Sequence, residues 1–350
     1  LKFRAHACTA RLARAKSHAS GPRSMSRETN RLPLVQVSSS RVREWTKPAE
    51  LQEAFRIQRT LVWPDFGSLL WTLLIVIAPS MYFLFGILPM VLHPGQAFHQ
   101  SWSYTTTVLL ASGALASMAV AACRNPGVVP RTKACRQAEP SRFISINGVV
   151  IKQRYCSTCR LYRPLRSKHC AFCNRCIFRF DHHCTWLGNC VGLGNYRAFL
   201  FLIAITTAFF GQAVVVTSKV LYRAFVVQQL QNAEVEDFAY DGVRRALLGN
   251  IGKVFFALYS IAMCGALFVL VLYHMIIMSY NLTTNEHVRD YYPTRNPFDL
   301  ACAANFQQIL CRPCGFPMKV EVFSSTQEAD KPNSSTKAGS KAVPDPDDSV

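Results

Sequence analysis

Four windows of the chain carry apolar and small polar residues without a single Asp, Glu, Lys or Arg: Gly67–Leu92, Ser101–Cys123, Ala198–Ser218 and Val254–Tyr280. A bilayer core is crossed by ~20 such residues at a helical rise of 1.5 Å. Buried helices of a large soluble core rarely reach this length, and here the windows fall into two pairs around a polar middle. The pattern therefore predicts an all-α integral membrane protein with four transmembrane helices. Pro79 lies inside the first window, where neighbouring helices can satisfy the backbone groups it frees.

Charge orients these windows. Of the 39 Lys and Arg residues, thirteen precede the first window, none lies in the hairpin after it, fourteen lie in 124–197, five in 219–253 and seven from Asn281 onward. An excess of Lys and Arg marks cytoplasmic connections, so both termini and the middle loop are expected in the cytoplasm. The division that follows is an N-terminal arm 1–66, helices 67–92 and 101–123, a cytoplasmic domain 124–197 and helix 198–218. A lumenal loop 219–253, helix 254–280, a cytoplasmic segment 281–323 and a disordered tail 324–350 complete it. Residues 1–24 hold no acid and are Arg-, Ala-, Ser- and His-rich. That composition is open to reading as a presequence or as an extension ahead of a start at Met25, the plainer reading. The tail is rich in Ser, Asp, Lys, Pro and Thr, a composition that cannot bury a core.

The net charge is +19 with only 17% charged residues, and there are 14 cysteines in 350 residues. This excludes an ordinary soluble enzyme, a disordered chain and a small disulfide-stapled domain. The charge and the cysteines converge on the middle loop. It opens with Asn125-Pro126-Gly127, a turn signal. Phe143–Ile151 follows, two short apolar runs around Asn147-Gly148 that predict a β-hairpin. Seven cysteines and three histidines then fall between Cys156 and Cys190. Cytoplasmic thiols stay reduced, and Cys-x2-Cys knuckles are zinc ligands by habit, four to a closed site. Two sites need eight ligands, and ten candidates are present. The surplus is best sought in Asp181-His182-His183-Cys184, where a cysteine beside an imidazole and an acid has the makings of a nucleophile with its base and orienting group. Each residue taken alone also fits a plain structural zinc ligand.

The run Cys156-x2-Cys159-x4-Pro164-x-Arg166-x2-His169-Cys170-x2-Cys173-x2-Cys176-x4-Asp181-His182-His183-Cys184-x-Trp186-x2-Asn189-Cys190-x-Gly192-x2-Asn195-x3-Phe199 closely resembles the cysteine-rich domain of the DHHC protein S-acyltransferases. Asn125-Pro126-Gly127 is similar to that family's Asp-Pro-Gly motif, and Thr283-Thr284-Asn285-Glu286 to its Thr-Thr-x-Glu motif. Asn296-Pro297-Phe298-Asp299 with Asn305 resembles its C-terminal motif, with Ala301 where Gly is usual. The resemblance covers about Asp65 to Asn305. It implies one zinc site from Cys156, Cys159, His169 and Cys176, and a second from Cys170, Cys173, His183 and Cys190. Asp181, His182 and Cys184 are left over.

The implied fold places a cytoplasmic cysteine-rich zinc-binding domain of short β-hairpins between helices 2 and 3. The implied activity is protein S-palmitoyl transfer through a Cys184 acyl-enzyme, with His182 as base and Asp181 orienting it. The acyl donor is a fatty acyl-CoA such as palmitoyl-CoA, and the two Zn2+ ions are structural. Partners are the lipid bilayer and membrane-associated proteins with cytoplasmic cysteines. The expected host is an endomembrane, Golgi or endoplasmic reticulum, with the plasma membrane as the alternative. Arg163, Arg166 and Lys168 are expected to meet the CoA phosphates, and Phe209 and Phe210 to line an acyl cavity. His274 reads as a packing residue of the fourth helix, and Cys311-x2-Cys314 as lipidation sites or free thiols. A catalytically inactive zinc-finger adaptor is the competing reading. Nucleic-acid binding, suggested by basic fingers alone, is disfavoured by four spans.

Overall fold

A computed structural model describes residues 64–91, 102–131, 142–147, 149–232, 244, 247–311 and 320–323. The four apolar windows are four helices, each long and apolar enough to cross a membrane. The first, α1, runs Phe66–Met81, continues as a π-helix over Tyr82–Ile87 and closes as a 3-10 turn over Leu88–Val91. Asp65 caps its start by accepting from the Ser68 amide. Pro79 has no N–H for the carbonyl of Ile75 four residues before it, and the Tyr259 hydroxyl from the fourth helix donates to that carbonyl at 3.1 Å instead. The proline is thus tolerated as the sequence predicts, through a partner on a neighbouring helix.

Helix α2 is Trp102–Cys123, α3 is Tyr196–Asn232 and α4 is Ile251–Ser279. Here the expected boundaries shift. The third apolar window ends at Ser218, but the helix continues to Asn232, so the connection expected from residue 219 begins as helix. Hydropathy marks where charges are missing, whereas a helix goes on while good formers follow without Gly or Pro, as in Lys219–Asn232. Helix α3 packs against both α2 and α4. One apolar cluster, with Met118, Tyr196, Phe199, Ile203 and Met278, lies beside Cys184 and Leu187. A second gathers Phe83, Phe209, Phe210 and Phe256.

Between α2 and α3 the chain makes only short antiparallel pairs. Strands β1 (Arg142–Ile146) and β2 (Val149–Gln153) form the expected hairpin, with Ile146 opposite Val149 and Asn147 in the left-handed region at φ 47. Three minimal hairpins follow: β3 (Tyr155–Cys156) with β4 (Leu161–Tyr162), β5 (Lys168–Cys170) with β6 (Arg175–Ile177), and β7 (His182–Cys184) with β8 (Asn189–Val191). Beyond α4 lie α5 (Thr284–Val288) and α6 (Cys302–Leu310). Strand β9 (Val320–Phe323) then pairs with β1 to give the sheet order β2-β1-β9, a long-range pairing that no local pattern announces.

Two asparagines fasten this domain to α2. The last carbonyls of a helix have no partner inside it. Asn195 donates to the Ala121 carbonyl at 3.0 Å, and Asn189 to those of Ala122 and Arg124 at 2.8 and 3.2 Å. Asn125 closes the following turn by accepting from the Gly127 and Val128 amides, both at 2.9 Å, with Gly127 at φ 102. The N-terminal arm before residue 64, Met25, the tail from 324 and Cys314 lie outside the described residues.

Candidate functional site

The eight residues expected to bind zinc form two groups, with ligand atoms within 4.8 Å of one another in each: Cys156, Cys159, His169 and Cys176, and Cys170, Cys173, His183 and Cys190. The hairpins explain how. His169 faces Cys176 across β5–β6, and His183 faces Cys190 across β7–β8. The knuckle cysteines are brought in by tight turns whose next residue is left-handed, Arg160 at φ 56 and Asn174 at φ 50. His169 Nδ1 lies 3.5, 3.4 and 3.8 Å from the sulfurs of Cys156, Cys159 and Cys176. His183 Nδ1 lies 3.7, 3.5 and 3.6 Å from those of Cys170, Cys173 and Cys190. Three sulfurs converging on one imidazole nitrogen, twice over, is the donor set and number of a closed tetrahedral zinc site. In the first group the sulfur contact with Cys176 pulls the Cys156 thiol down to about 4, and the same contact pushes Cys176 up. Such crowded, unequal thiols are relieved by a shared cation.

The interleaved second site settles where the neighbours of His183 point. Side chains alternate along a strand, so in β7 His182 and Cys184 share one face while His183 turns to the opposite one with the metal group. Asp181, just ahead of the strand, is 1% exposed and lies 2.7 Å from His182 Nδ1. Its carboxylate also accepts from the Thr284 amide at 2.9 Å and from the Thr284 hydroxyl at 2.7 Å. Burial opposes its ionisation, but the hydrogen bond and charge of His182 and the Thr284 amide hold its pKa below the usual value. Burial likewise works against a charged His182. Its hydrogen bonds to Asp181 and Cys184 prevail and raise it to about 9. The imidazole thus bridges carboxylate and thiol through its two nitrogens.

Cys184 is 7% exposed and opens onto a cavity of ≈ 930 Å³ between the four helices. The size is at the upper end of the ~300–1,000 Å³ usual for small-molecule sites. Its walls are overwhelmingly apolar, with Ile75 and Leu84 from α1, Met118 from α2, and Phe199 and Phe209 from α3. Phe209 is a lining residue as expected. Phe210 is not: it is fully buried, edge-on to Tyr259 at 5.7 Å in the neighbouring cluster. Adjacent residues on a helix point ~100° apart, and here Phe210 is turned into the neighbouring cluster while Phe209 faces the cavity.

Two of the three residues expected to meet CoA, Arg163 and Arg166, border the same cavity. Arg163 lines a second, smaller cavity of ≈ 420 Å³ together with Lys152, Arg154 and Arg295. Lys168 reaches the Asn285 side chain at 3.3 Å. Arg166 is also engaged within the protein. Its guanidinium, 3% exposed, is bidentate to Glu286 at 2.8 and 2.6 Å, donates to the Asn281 side chain and carbonyl at 3.0 and 2.7 Å, and lies 4.6 Å above the Phe298 ring. A cation buried and paired in this way is a strut. It fixes Glu286, which completes a capping box with Thr283 at the start of α5 and so places Thr284 against Asp181.

Three residues of the site carried no sequence signal of their own. Arg179 is buried, donates to Asn281 at 3.2 Å and lies over the Tyr196 ring; burial and the nearby Arg166 charge lower it to about 10. Tyr196 hydrogen-bonds His274 at 3.0 Å, and His274 lines the cavity with Cys184. The reading of His274 as a packing residue is therefore incomplete.

Residues 149–291 match the family model described as DHHC palmitoyltransferase. The chain is similar to probable protein S-acyltransferase 1 of Arabidopsis thaliana, at 28% identity over 275 residues that cover 72% of this chain and 76% of the relative. It is also similar to protein S-acyltransferase 8 of Arabidopsis thaliana, at 28% over 276 residues, 72% of this chain and 65% of the relative. Palmitoyltransferase ZDHHC5 of Homo sapiens is 32% identical over 205 residues, 56% of this chain but only 26% of the relative.

Proposed function

We propose that the chain is a protein-cysteine S-palmitoyltransferase that carries the acyl group on Cys184. The observation that carries this is the placement of an Asp181–His182–Cys184 array at the mouth of an apolar cavity between four membrane-length helices. An adaptor built only of zinc fingers has no use for a buried carboxylate aimed at a histidine, or for an acyl-sized cavity beside a surplus cysteine.

The mechanism follows from these groups. Asp181 holds His182 with Nδ1 toward the carboxylate, so Nε2 faces Cys184 and takes its proton. The Cys184 thiolate adds to the thioester carbonyl of a fatty acyl-CoA, the C–S bond to CoA breaks, and the CoA thiolate leaves with the proton from His182. A cysteine of a membrane-associated protein then attacks the acyl-Cys184 thioester in the same way, and the enzyme thiol is restored. Exchange of one thioester for another is nearly balanced, so the protein supplies orientation and a thiolate. The apolar cavity holds the chain and keeps competing water away. Cys156, Cys159, His169 and Cys176 would hold one Zn2+, and Cys170, Cys173, His183 and Cys190 a second. Bound zinc is a structural cross-link that fixes β7.

In this reading the helices span an endomembrane, Golgi or endoplasmic reticulum, with both termini and the zinc domain in the cytoplasm. Arg163 and Lys168 bind CoA phosphates, and the bilayer brings acceptor proteins to the site; nucleic acid is not a partner. The test is transfer. Purified protein in detergent is incubated with labelled palmitoyl-CoA and then with an acceptor protein carrying a membrane-proximal cysteine. Acyl transfer by the wild type and none by Cys184→Ser is expected. Equal transfer by both overturns the proposal.

A further inference from the structure

We propose that His274 is a further catalytic residue, its Nε2–H group receiving the carbonyl oxygen of the acyl thioester as Cys184 attacks. The proposal rests on the transferase reading above and adds to it the group that stabilises the oxyanion.

His274 is 2% exposed, and it lines the cavity into which Cys184 and His182 also open. Its ring is held on several sides. Phe199 stands edge-on at 5.1 Å between centroids and Tyr273 at 5.5 Å, with the His182 ring 6.4 Å away. Its Nδ1 lies 3.0 Å from the Tyr196 hydroxyl. The Phe199 ring and the Arg179 guanidinium beside Tyr196 offer no hydrogen-bond acceptor. The hydroxyl hydrogen therefore goes to His274 Nδ1, and in a neutral imidazole the ring proton then resides on Nε2. Tyr196 thus sets the tautomer, and Nε2–H is left without a protein partner among the described residues. A donor that opens onto a largely apolar cavity shared with the nucleophile is suited to an acceptor that arrives with the ligand.

Two of the amides that follow the nucleophile are occupied. The Leu187 and Gly188 amides after the nucleophile are spent on the carbonyls of Cys184 and Thr185. Thr206 also has a hydroxyl without a partner, but it lies on α3 near Phe209, deeper among the helices and away from Cys184. In the addition step the Sγ–C bond forms and the carbonyl π pair moves to oxygen, where His274 Nε2–H meets it. On collapse the pair returns, the C–S bond to CoA breaks, and the leaving thiolate takes the proton held by His182. Removing a single oxyanion donor costs ~10²–10³ in rate.

Two reactions of Cys184 separate this role from mere packing, both followed on the full chain by mass spectrometry of the Cys184 peptide. Acylation by palmitoyl-CoA develops an oxyanion, whereas alkylation by iodoacetamide displaces iodide at a saturated carbon and develops none. His274→Phe is expected to slow acylation ~100-fold while leaving the alkylation rate and the zinc content at wild-type levels. His274→Gln, which keeps an N–H donor, recovers part of the acylation rate, and Tyr196→Phe falls between. A parallel loss of acylation and alkylation in His274→Phe, or acylation at the wild-type rate, overturns the assignment. A wild-type protein that alkylates at Cys184 but never acylates instead defeats the transferase reading on which it rests.

Discussion

The Thr284 hydroxyl donates to the carboxylate of Asp181 across a sequence separation of 103 residues, at 2.7 Å, while the Thr284 amide holds the second oxygen at 2.9 Å. The segment after the last membrane-length helix thus aims the acid of a site built from the loop between the second and third. The oxygen that accepts from the Thr284 hydroxyl, Oδ2, is the one that also meets His182 Nδ1, so Thr284 fixes the carboxylate in the orientation His182 uses. Hydrogen bonds to a charged group are worth about 1.5–3 kcal/mol. Thr284→Val keeps the shape and the amide but loses the hydroxyl bond, so acyl-enzyme formation should slow by ~10-fold or more, with zinc content unchanged. Stopped-time labelling with palmitoyl-CoA measures it.

The Arg166–Glu286 pair supports the same arrangement from below. Both side chains are buried, and removing one partner of such a pair costs about 3–5 kcal/mol because the other charge is stranded. Glu286→Gln and Arg166→Ala should therefore lower thermal stability by comparable amounts. Arg163→Ala, in the basic cleft, should instead raise the KM for acyl-CoA and leave the melting temperature in place. Melting curves and acyl-CoA titrations of the three variants separate a strut from a ligand contact.

Much of this site can be read from residue order, and the part that cannot is long-range. Which sulfurs share an imidazole is implied by the resemblance, and the structure supplies the cause, because each hairpin is closed by residues only a few positions apart, as His169–Cys176 and His183–Cys190 are. Alternation along β7 then separates His182 and Cys184 from His183. The positive charge of Arg166 is visible in the sequence, whereas its partner Glu286, 120 residues away, is not. His274 was passed over for the same reason: one histidine in an apolar helix acquires meaning only when α3 and α4 pack and set Tyr196 beside it. The end of α3 was placed too early because an apolar window is not a helix boundary.

Ala301 offers a test of backbone strain. It sits at φ 76 and ψ 152, a region that is essentially glycine territory and costs other residues about 1–3 kcal/mol. The resemblance to a motif that usually has Gly here acquires a physical cause. Ala301→Gly should raise the melting temperature without altering the acylation rate, as read by parallel thermal and labelling measurements.

Phe209 and Phe210 should part company on substitution. Phe209 borders the cavity, ten residues beyond Phe199 along α3, or about 15 Å at the helical rise, and so lies toward the end far from Cys184. Phe209→Ala should let acyl-CoA chains longer than those favoured by the wild type react at full rate. Phe210→Ala removes packing alone, lowering stability with no shift in preferred chain length. A chain-length series with both variants checks this.

Metal content follows from the ligand sets. The wild type should bind two zinc ions per chain, and Cys159→Ser and Cys173→Ser, one from each group, should each bind one. Elemental analysis of purified protein decides it. Loss of the second ion is expected to abolish acylation as well, because His183 is a ligand and β7 carries the nucleophile beside it.

The most direct test of the central claim is the mass of the chain after brief exposure to palmitoyl-CoA and removal of the excess. The wild type should carry one acyl group, on the peptide containing Cys184, released by neutral hydroxylamine and passed to an added protein thiol. Cys184→Ser should carry none. An acyl group found on another cysteine, or on Cys184 but unable to move to an acceptor, would contradict the account.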